Sequence, residues 1–195
     1  MSRLDLVVGP NGAGKSTFIR LVVQPRWPAA HLVNADEIAA RNWPDDPAAH
    51  AYDASALAAR TREHLVSLRQ PFVAETVCSH PSKVDLVRTA RSNGFYVALH
   101  VVMVPVELSV ARVRARVAAG GHDVPEVKIR ERHARLWHVV ADAVLLSDVA
   151  TCWDNSRRDG PDEVAAFFDG VPVYEPHWPP WASDVFTSRW PSTSA

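Results

Sequence analysis

The feature that most constrains this chain is a glycine-rich stretch, VVGPNGAGKST, which follows a short apolar run near the N-terminus. Residues 9–16 match the pattern G-x-x-x-x-G-K-[ST] without a mismatch. The apolar run Leu4–Val8 predicts a buried strand before the loop, and the residue spacing over Ser16–Val23 predicts a helix after it. This order of elements predicts a phosphate-binding loop, because its N–H groups can turn inward at a helix N-terminus.

The loop sequence predicts specific contacts to a nucleotide. Lys15 is expected to reach the β- and γ-phosphates of ATP, and the Ser16 hydroxyl to ligate Mg²⁺. Only three of the 21 basic residues are lysines, so a lysine at this position is hard to ascribe to composition. A chance glycine-rich turn is the alternative, and the strand and helix context disfavours it. The predicted ATP contacts in the loop are Gly9, Asn11, Gly12, Ala13, Gly14, Lys15, Ser16 and Thr17.

Strand and helix patterns alternate along the rest of the chain. The predicted strands are His31–Val33, Pro71–Ala74, Phe95–Val104 and Val149–Trp153. The predicted helices are Ala56–Leu68, Pro81–Arg91, Leu108–Ala119, Val124–Leu146 and Pro161–Phe168. This alternation predicts an α/β fold of the three-layer P-loop NTPase/kinase type, with a mainly parallel sheet. We expect the P-loop domain to occupy residues 1–171, and a Pro- and Trp-rich tail over 172–195 either to pack on it or to be flexible.

Length and charge exclude several other classes of protein. A chain of 195 residues fits one domain, and a formal net charge of −1 argues against a surface built mainly for nucleic acid. The N-terminal apolar run is too short for a signal peptide or a membrane span. Cys78 and Cys152 lie too far apart for a typical metal-ligand spacing. We therefore expect a soluble, cytoplasmic protein without a nucleic-acid or membrane partner.

Acidic residues follow two of the predicted strands. Ligands of open parallel sheets collect at the carboxyl ends of strands, and the strands that follow the loop strand are expected to be its neighbours. Asp36 is the predicted general base for an acceptor hydroxyl, with a helix N-cap as the alternative. Glu75 is expected to bind a substrate hydroxyl or help hold Mg²⁺, and a solvated loop acid is its alternative. Thr76 beside it is a further candidate substrate contact.

A block of arginines extends from Glu107 to Leu136. One predicted helix face carries Arg112 and Arg116, and the next helix carries Lys128, Arg132 and Arg135 on one face. Gly120-Gly121-His122 lies between the two helices and predicts a hinge, with His122 as a hinge residue or substrate contact. We expect a lid that brings at least one arginine to the transferring phosphoryl group. Solvated helix faces with nearby acids, Glu126 and Glu131, are the alternative.

The loop alone is compatible with several reactions. A GTP-dependent switch would require an Asn-Lys-x-Asp motif, which the sequence lacks, and the chain is short for an assembly-type ATPase. A small kinase fits the length better. A nucleotide-binding regulator without catalytic activity remains an alternative from a different class.

Taken together, these motifs resemble the zeta-toxin family of P-loop small-molecule kinases. The resemblance covers roughly residues 4–156 and rests, in order, on GPNGAGKST, NADEIA, AET, GFYVALHVVMV, RVRARVAAGGHDVPEVKIRERHARL and WDNS. It implies ATP- and Mg²⁺-dependent phosphorylation of a small-molecule hydroxyl, in the best-known members that of UDP-N-acetylglucosamine. An antitoxin is the protein partner that it implies. A kinase of an antibiotic or nucleoside hydroxyl is the alternative, since it would share every catalytic part.

The resemblance also implies roles for individual residues. Asp36 corresponds to the catalytic aspartate and Glu75 to a substrate-binding glutamate. Arg116 and Arg132 correspond to the two phosphate-stabilising arginines, although Arg130 and Arg135 compete for the second position. Asn155 resembles a residue near the nucleotide base. The chain departs from the family at His133, where a Tyr is usual, and at Leu136-Trp137-His138, which replaces an Asn-Leu pairing. These departures bear on substrate choice more than on fold.

Overall fold

The computed structural model describes residues 2–121 and 123–192. Its strands are β1 (Arg3–Val8), β2 (His31–Asn34), β3 (Phe72–Thr76), β4 (Tyr96–Met103), β5 (Val149–Asp154), β6 (Asp162–Phe168) and β7 (Val171–Pro172). Its helices are α1 (Lys15–Phe18), which continues as a π-helical turn over Ile19–Val23, α2 (Ala35–Asn42), α3 (Ala51–Ser67), α4 (Ser82–Ser92), α5 (Val106–Ala118), α6 (Glu126–Leu146) and α7 (Asp184–Arg189).

The seven strands form one sheet in the order β2-β3-β1-β4-β5-β6-β7. Strands β1 to β5 are parallel, whereas β6 and β7 are antiparallel. Helices cover both faces, which confirms the predicted three-layer α/β fold with a mainly parallel sheet. In the register of the sheet, Val8 pairs with Thr76 and Asn34 with Glu75. The carboxyl ends of β1, β2 and β3 therefore meet at one edge.

The expectation that β1 and β2 are neighbours is wrong, because β3 lies between them. The first three residues of β3 are buried, which suits a strand paired on both sides. Strand β2 is only four residues long and begins at the exposed His31, which suits the sheet edge.

The predicted helix Pro161–Phe168 is also wrong, since Asp162–Phe168 forms β6. Short apolar runs of this kind do not distinguish helix from strand by spacing alone. The deciding factor is tertiary: β6 pairs antiparallel with β5 and covers what would otherwise be an open sheet edge.

Two apolar clusters lie on opposite faces of the sheet. On one face, Leu4 and Leu6 of β1 contact the cluster that includes residues of α4, α6 and α7. On the other face, Val7 packs with Phe18 and Ile19 at the start of the first helix. Alternate residues of β1 thus serve the two layers, as expected of a central strand buried on both sides.

A charged cluster interrupts the apolar pattern of β1 at Asp5. This buried carboxylate accepts hydrogen bonds from Arg3 at 2.7 and 2.9 Å and lies 3.0 Å from Nε2 of His100. Burial raises the pKa of Asp5, but the hydrogen bonds from Arg3 and His100 outweigh it and leave the pKa below its usual range. The guanidinium of Arg3 also lies over the Trp27 ring, 4.7 Å from its centroid.

The described part of the C-terminal segment packs against the domain. Phe186 of α7 is fully buried and contacts the ring of Trp137 on α6. The ring of Trp190 packs at a tilt against that of Phe167 of β6, with the centroids 4.7 Å apart. The Trp190 carbonyl accepts a hydrogen bond of 2.7 Å from the indole of Trp178. The domain boundary at residue 171 stays a prediction. No helix within residues 2–121 and 123–192 combines the length and apolarity needed to cross a membrane.

Candidate active site

The phosphate-binding loop connects β1 to α1 and requires glycine where the backbone approaches its neighbours closely. A Cβ on Gly9 would lie 2.1 Å from the carbonyl oxygen of Val102 in β4. Gly14 has a φ of +86°, and a Cβ there would lie 2.7 Å from Nδ2 of Asn155. Both glycines therefore permit close approach that another residue would prevent, and Gly14 also has a left-handed backbone. The loop sits directly on the neighbouring strands.

Hydrogen bonds hold the loop from behind. The side-chain amide of Asn155 donates to the carbonyl of Ala13 at 2.7 Å, and the Ser109 hydroxyl donates to the carbonyl of Asn11. The Lys15 ammonium donates to the carbonyl of Pro10 at 3.0 Å. Asn155 thus buttresses the loop, and its side chain contacts Ala13 within the loop that the sequence assigns to nucleotide binding.

Glu75 lies at the centre of the polar contacts in front of the loop. Its carboxylate accepts hydrogen bonds from the Ser16 hydroxyl at 3.0 Å and from the Asn34 amide at 2.7 Å. Its other oxygen lies 3.8 Å from Nζ of Lys15. The solvated-loop alternative for Glu75 is wrong, because this carboxylate links the ends of β2 and β3 to the phosphate-binding loop.

Asp36 is an exposed residue in the first turn of α2 and lines the same cleft as Lys15. The N-cap alternative for Asp36 is wrong, because Asn34 occupies that position and accepts from the N–H groups of Asp36 and Glu37. Burial lowers the pKa of Lys15, while the negative charges of Glu75 and Asp36 oppose that shift. Burial, and then Glu75 and Asp36, raise the pKa of Glu37. The acids are therefore close enough to act on one another and on the lysine.

The side chains at this site suit a magnesium ion. The Ser16 hydroxyl and the Glu75 carboxylate are 3.0 Å apart, and such hard oxygen atoms are the ligands that Mg²⁺ prefers. Within the part of the chain that the structure describes, no group of three or more His, Cys, Asp or Glu side chains could hold a metal ion. Protein-bound Mg²⁺ commonly takes only one or two carboxylates and completes its shell with water and substrate phosphates.

A cleft of about 850 Å³ opens in front of the loop. Its volume lies within the range of small-molecule sites. The candidate residues that line it are Asn11, Gly12, Gly14, Lys15, Ser16, Thr17, Asp36, Glu75, Thr76, Arg112, Arg116, Lys128 and Arg132. The candidates Gly9, Ala13 and Asn155 do not line it. The acids at the strand ends and the arginines of the lid thus share one space with the phosphate-binding loop. His122 lies outside the described residues.

The structure separates the competing arginines of α6. Arg132 lines the cleft, whereas Arg130 and Arg135 do not. The Arg130 guanidinium donates to both oxygens of Glu107, at 2.6 and 2.8 Å, and to Glu126 at 2.8 Å. The solvated, acid-paired alternative therefore describes Arg130.

Three of the residues at which the sequence departs from the zeta-toxin pattern, His133, Leu136 and Trp137, lie behind the lid. His133 faces the sheet and lies 3.0 Å from the carbonyl of Val104 through its Nε2. Burial lowers the pKa of His133, and the bond to Val104 opposes that shift. Leu136 and Trp137 are buried in the core. These residues thus fix α6 to the domain rather than contact the cleft.

Sequence reasoning missed the side of the cleft that is formed by α3 and by the start of α4. Tyr52, Ser55 and Arg62 line it from α3, and Lys83 lines it from α4. The spacing of Tyr52, Ser55 and Arg62 places them on one helix face. The sequence did contain a signal that could have drawn attention to Lys83, since it is one of three lysines in a chain whose other basic residues are arginines.

Fold and site together define a P-loop nucleotide-binding protein. A model of the AAA_33 family, described as an AAA domain, matches residues 4–139, which is more than half of the chain. The chain belongs to this family. Membership accords with the phosphate-binding loop and specifies neither a reaction nor an acceptor.

The chain is also similar to a relative in sequence and to solved structures. Over 129 residues the chain is 33% identical to an uncharacterized protein of Haemophilus influenzae, which covers 64% of this chain and 88% of that protein. A chain of the AvrRxo1-ORF1:-ORF2 complex with ATP matches with a TM-score of 0.71 and 16% identity. That match covers 100% of this chain but only 65% of the AvrRxo1 chain, less than two thirds of its length.

A chain of the PezAT chromosomal toxin-antitoxin system of Streptococcus pneumoniae matches with a TM-score of 0.61 and 15% identity, over 85% of this chain and 72% of that one. At such identities the likeness of these two structures establishes a shared fold alone.

Proposed function

We propose that this protein is an ATP-dependent small-molecule kinase that transfers the γ-phosphoryl group to a hydroxyl of a nucleotide sugar such as UDP-N-acetylglucosamine. The observation that carries the proposal is the convergence of Lys15, Asp36, Glu75, Arg116 and Arg132 on one cleft. A carboxylate beside the Mg²⁺ site is common to P-loop proteins, whereas a kinase requires a further carboxylate to orient an acceptor hydroxyl, and Asp36 lines the cleft in addition to Glu75.

Each group has a distinct part in the proposed reaction. The acceptor oxygen attacks the γ-phosphorus, its proton passes to the Asp36 carboxylate, and the bond from the γ-phosphorus to the bridging oxygen breaks, so that ADP leaves with the bonding electrons. Lys15, Arg116 and Arg132 stabilise the negative charge on the transferring group. The loop N–H groups hold the β-phosphate.

Ser16 and Glu75 are the residues that would hold Mg²⁺, which neutralises charge on the β- and γ-phosphate oxygens when it is bound. The Asn34 amide fixes the Glu75 carboxylate by donating to one of its oxygens at 2.7 Å. The same oxygen of Glu75 accepts from the Ser16 hydroxyl at 3.0 Å, so the amide and the hydroxyl orient the carboxylate together. Thr76, which follows Glu75 on the cleft wall, is the proposed additional contact to the acceptor.

The direct test is to incubate the protein with ATP, Mg²⁺ and a panel of hydroxyl compounds that includes UDP-N-acetylglucosamine. Mass spectrometry of the panel then detects the gain of one phosphate. We expect Asp36→Asn to abolish the gain without loss of ATP binding, and Asp45→Asn, a change at an exposed residue that does not line the cleft, to leave it intact. ATP binding without modification of any acceptor would favour a nucleotide-binding regulator instead.

An antitoxin partner is the second part of the proposal. Its support is the fold shared with a chain of the PezAT toxin-antitoxin system, together with the sequence resemblance. Expression of the wild-type chain alone should then arrest growth, whereas the Asp36→Asn variant at the same level should not. Equal growth of both strains would remove the toxin reading and leave the kinase reading to be judged by the acceptor panel.

A further inference from the structure

Two cations that pair with no carboxylate among the described residues line the cleft away from the arginine-bearing lid. They are Arg62 of α3 and Lys83 of α4, and the hydroxyl residues Ser55 and Ser79 line the cleft with them. None of the proposed catalytic steps uses either cation. Their location beside the segment that follows Glu75 places them on the acceptor side of the cleft.

Arg62 is only 6% exposed, which is rare for an arginine. Its neighbours on α3, Leu65 and Val66, belong to the apolar core. Among the residues that the structure describes, no ion pair or hydrogen bond joins the Arg62 guanidinium to a carboxylate. Burial lowers the pKa of Arg62, and only the charge of the exposed neighbour Glu63 opposes that shift. A charge retained under these conditions is costly to the free protein, so it points to a ligand that would pair with it.

Lys83 places a second positive charge next to the first. It lies in the first turn of α4 and is partly buried. Burial lowers its pKa, and the positive charge of Arg62 lowers it further, so the Arg62 charge acts on Lys83. Cys78 does not supply a counter-charge, because burial raises the pKa of its thiol to about 12 and keeps it protonated at neutral pH. The pair therefore forms a region of uncompensated positive charge in a concave site.

We propose that Arg62 and Lys83 form a subsite for an anionic group, a phosphate or a carboxylate, on the acceptor of the phosphoryl transfer. The planar guanidinium can donate two parallel hydrogen bonds to either group, while the lysine contributes a compact charge. The subsite defines the acceptor class as hydroxyl compounds that carry an anionic group. Neutral nucleosides and cationic antibiotics are thereby disfavoured, and a nucleotide sugar fits. The identity of the bound compound as an acceptor rests on the proposed kinase function, whereas anion binding does not.

Calorimetric titration tests the subsite without requiring catalysis. The full chain is first saturated with Mg²⁺ and a non-hydrolysable ATP analogue, which occupies the phosphate-binding loop. It is then titrated with glucose, glucose 6-phosphate and glucuronate, and with N-acetylglucosamine and UDP-N-acetylglucosamine. The first set distinguishes a phosphate from a carboxylate on one sugar, and the second set compares a neutral sugar with its nucleotide form.

We expect at least one anionic compound to bind at least tenfold more tightly than its neutral counterpart. Because charge-assisted hydrogen bonds are among the strong ones, Arg62→Gln and Lys83→Gln should each weaken that binding by about 10- to 150-fold. Arg60→Gln is the matched control, since Arg60 lies on the same helix but is exposed and does not line the cleft. It should leave the affinity within about twofold. We also expect Arg62→Gln without ligand to melt no lower than the wild type, because it removes an unpaired buried charge.

Three outcomes would overturn the subsite. They are equal binding of anionic and neutral compounds, no binding of any anion, and an anion affinity that both variants leave unchanged. If Arg62→Gln fails to fold, the partly buried Lys83→Gln decides alone. Phosphorylation of a neutral acceptor with no effect of either variant would retain the kinase and reject the subsite. Anion binding that both variants weaken, without phosphoryl transfer to any compound, would retain the subsite and reject the kinase.

Discussion

The three arginines of α6 permit a test of the lid in which residue type and helix are held constant. Arg132 lines the cleft, Arg135 is exposed away from it, and Arg130 pairs with two glutamates. If Arg132 stabilises charge that develops on the transferring phosphoryl group, Arg132→Ala should remove one preorganised donor. Such donors contribute about 10²- to 10³-fold to kcat, or about 2.7–4 kcal/mol of transition-state stabilisation.

The two control variants should behave differently for structural reasons. Arg135→Ala removes a guanidinium that does not reach the cleft, so kcat should stay within about threefold. Arg130→Ala removes surface ion pairs to Glu107 and Glu126, whose contribution to stability is small in water, and kcat should again change little. The KM for ATP should change little in all three variants, because the charge in question develops in the transition state.

The assay is the initial rate of phosphoryl transfer to the acceptor that the panel identifies, at saturating ATP, with a single-turnover measurement of ATP cleavage as a second readout. The reasoning would be refuted by Arg132→Ala retaining kcat within threefold. It would equally be refuted by Arg130→Ala or Arg135→Ala losing as much activity as Arg132→Ala. In that case the second arginine has been assigned to the wrong residue.

Three further predictions concern stability. Gly9→Ala would place a Cβ 2.1 Å from the Val102 carbonyl oxygen, so we expect a loss of about 10 °C in Tm or no folded protein. The control is Gly94→Ala, at a φ of +78° with no neighbour within 4 Å, which should lose about 2–4 °C. Equal losses of Tm in the two variants would contradict the packing at Gly9. Phe186→Ala should cost about 3–5 kcal/mol in urea unfolding, and a cost below about 1 kcal/mol would show that α7 does not pack as described. Because the folded state lowers the pKa of Asp5, this group stabilises the protein above its unfolded pKa, and that contribution is lost as pH falls through the folded value. Asp5→Asn should therefore flatten the decline in stability below about pH 4, and an unchanged decline would contradict the assignment.

Those parts of the fold that depend on local signals were predictable from the sequence. The phosphate-binding loop requires glycines at fixed positions, and Gly9 and Gly14 stand where close approach demands them. Strand β4 is buried at seven of its eight positions, so its continuous apolar run predicts a central parallel strand. The parallel order of strands and helices follows from the alternation of such segments.

What failed depends on tertiary contacts that the sequence does not display. Asp162–Phe168 becomes a strand because the edge of β5 is available beside it, not because its residues exclude a helix. The order of β2 and β3 is likewise decided by which strand can be buried on both sides. The spacing of apolar residues predicts the structure of a single segment, but it does not predict which strands that segment will pair with.

The candidate site was predictable where it lies at strand ends and unpredictable where it lies on helix faces. Asp36 follows the end of β2 by two residues and Glu75 is the penultimate residue of β3, so the geometry of a parallel sheet directs both to the loop. Arg62 lies within a long helix, and no local signal tells which face of that helix borders a cleft. Its significance comes from burial without a carboxylate partner in the part of the chain that the structure describes, which only a folded structure shows.

The expected lid is attached to the loop that it serves. The Ser109 hydroxyl of α5 donates to the loop carbonyl of Asn11, and Arg112 of α5 donates to the carbonyl of Asn155, whose side chain in turn holds Ala13. On α6, His133 lies within hydrogen-bond distance of the end of the sheet through the Val104 carbonyl. These bonds join the helices that carry Arg116 and Arg132 to the phosphate-binding loop and to the sheet. In the proposed reaction, helices joined in this way would limit the reorganisation needed to bring Arg116 and Arg132 to the transferring phosphoryl group, and low reorganisation is what makes such donors effective.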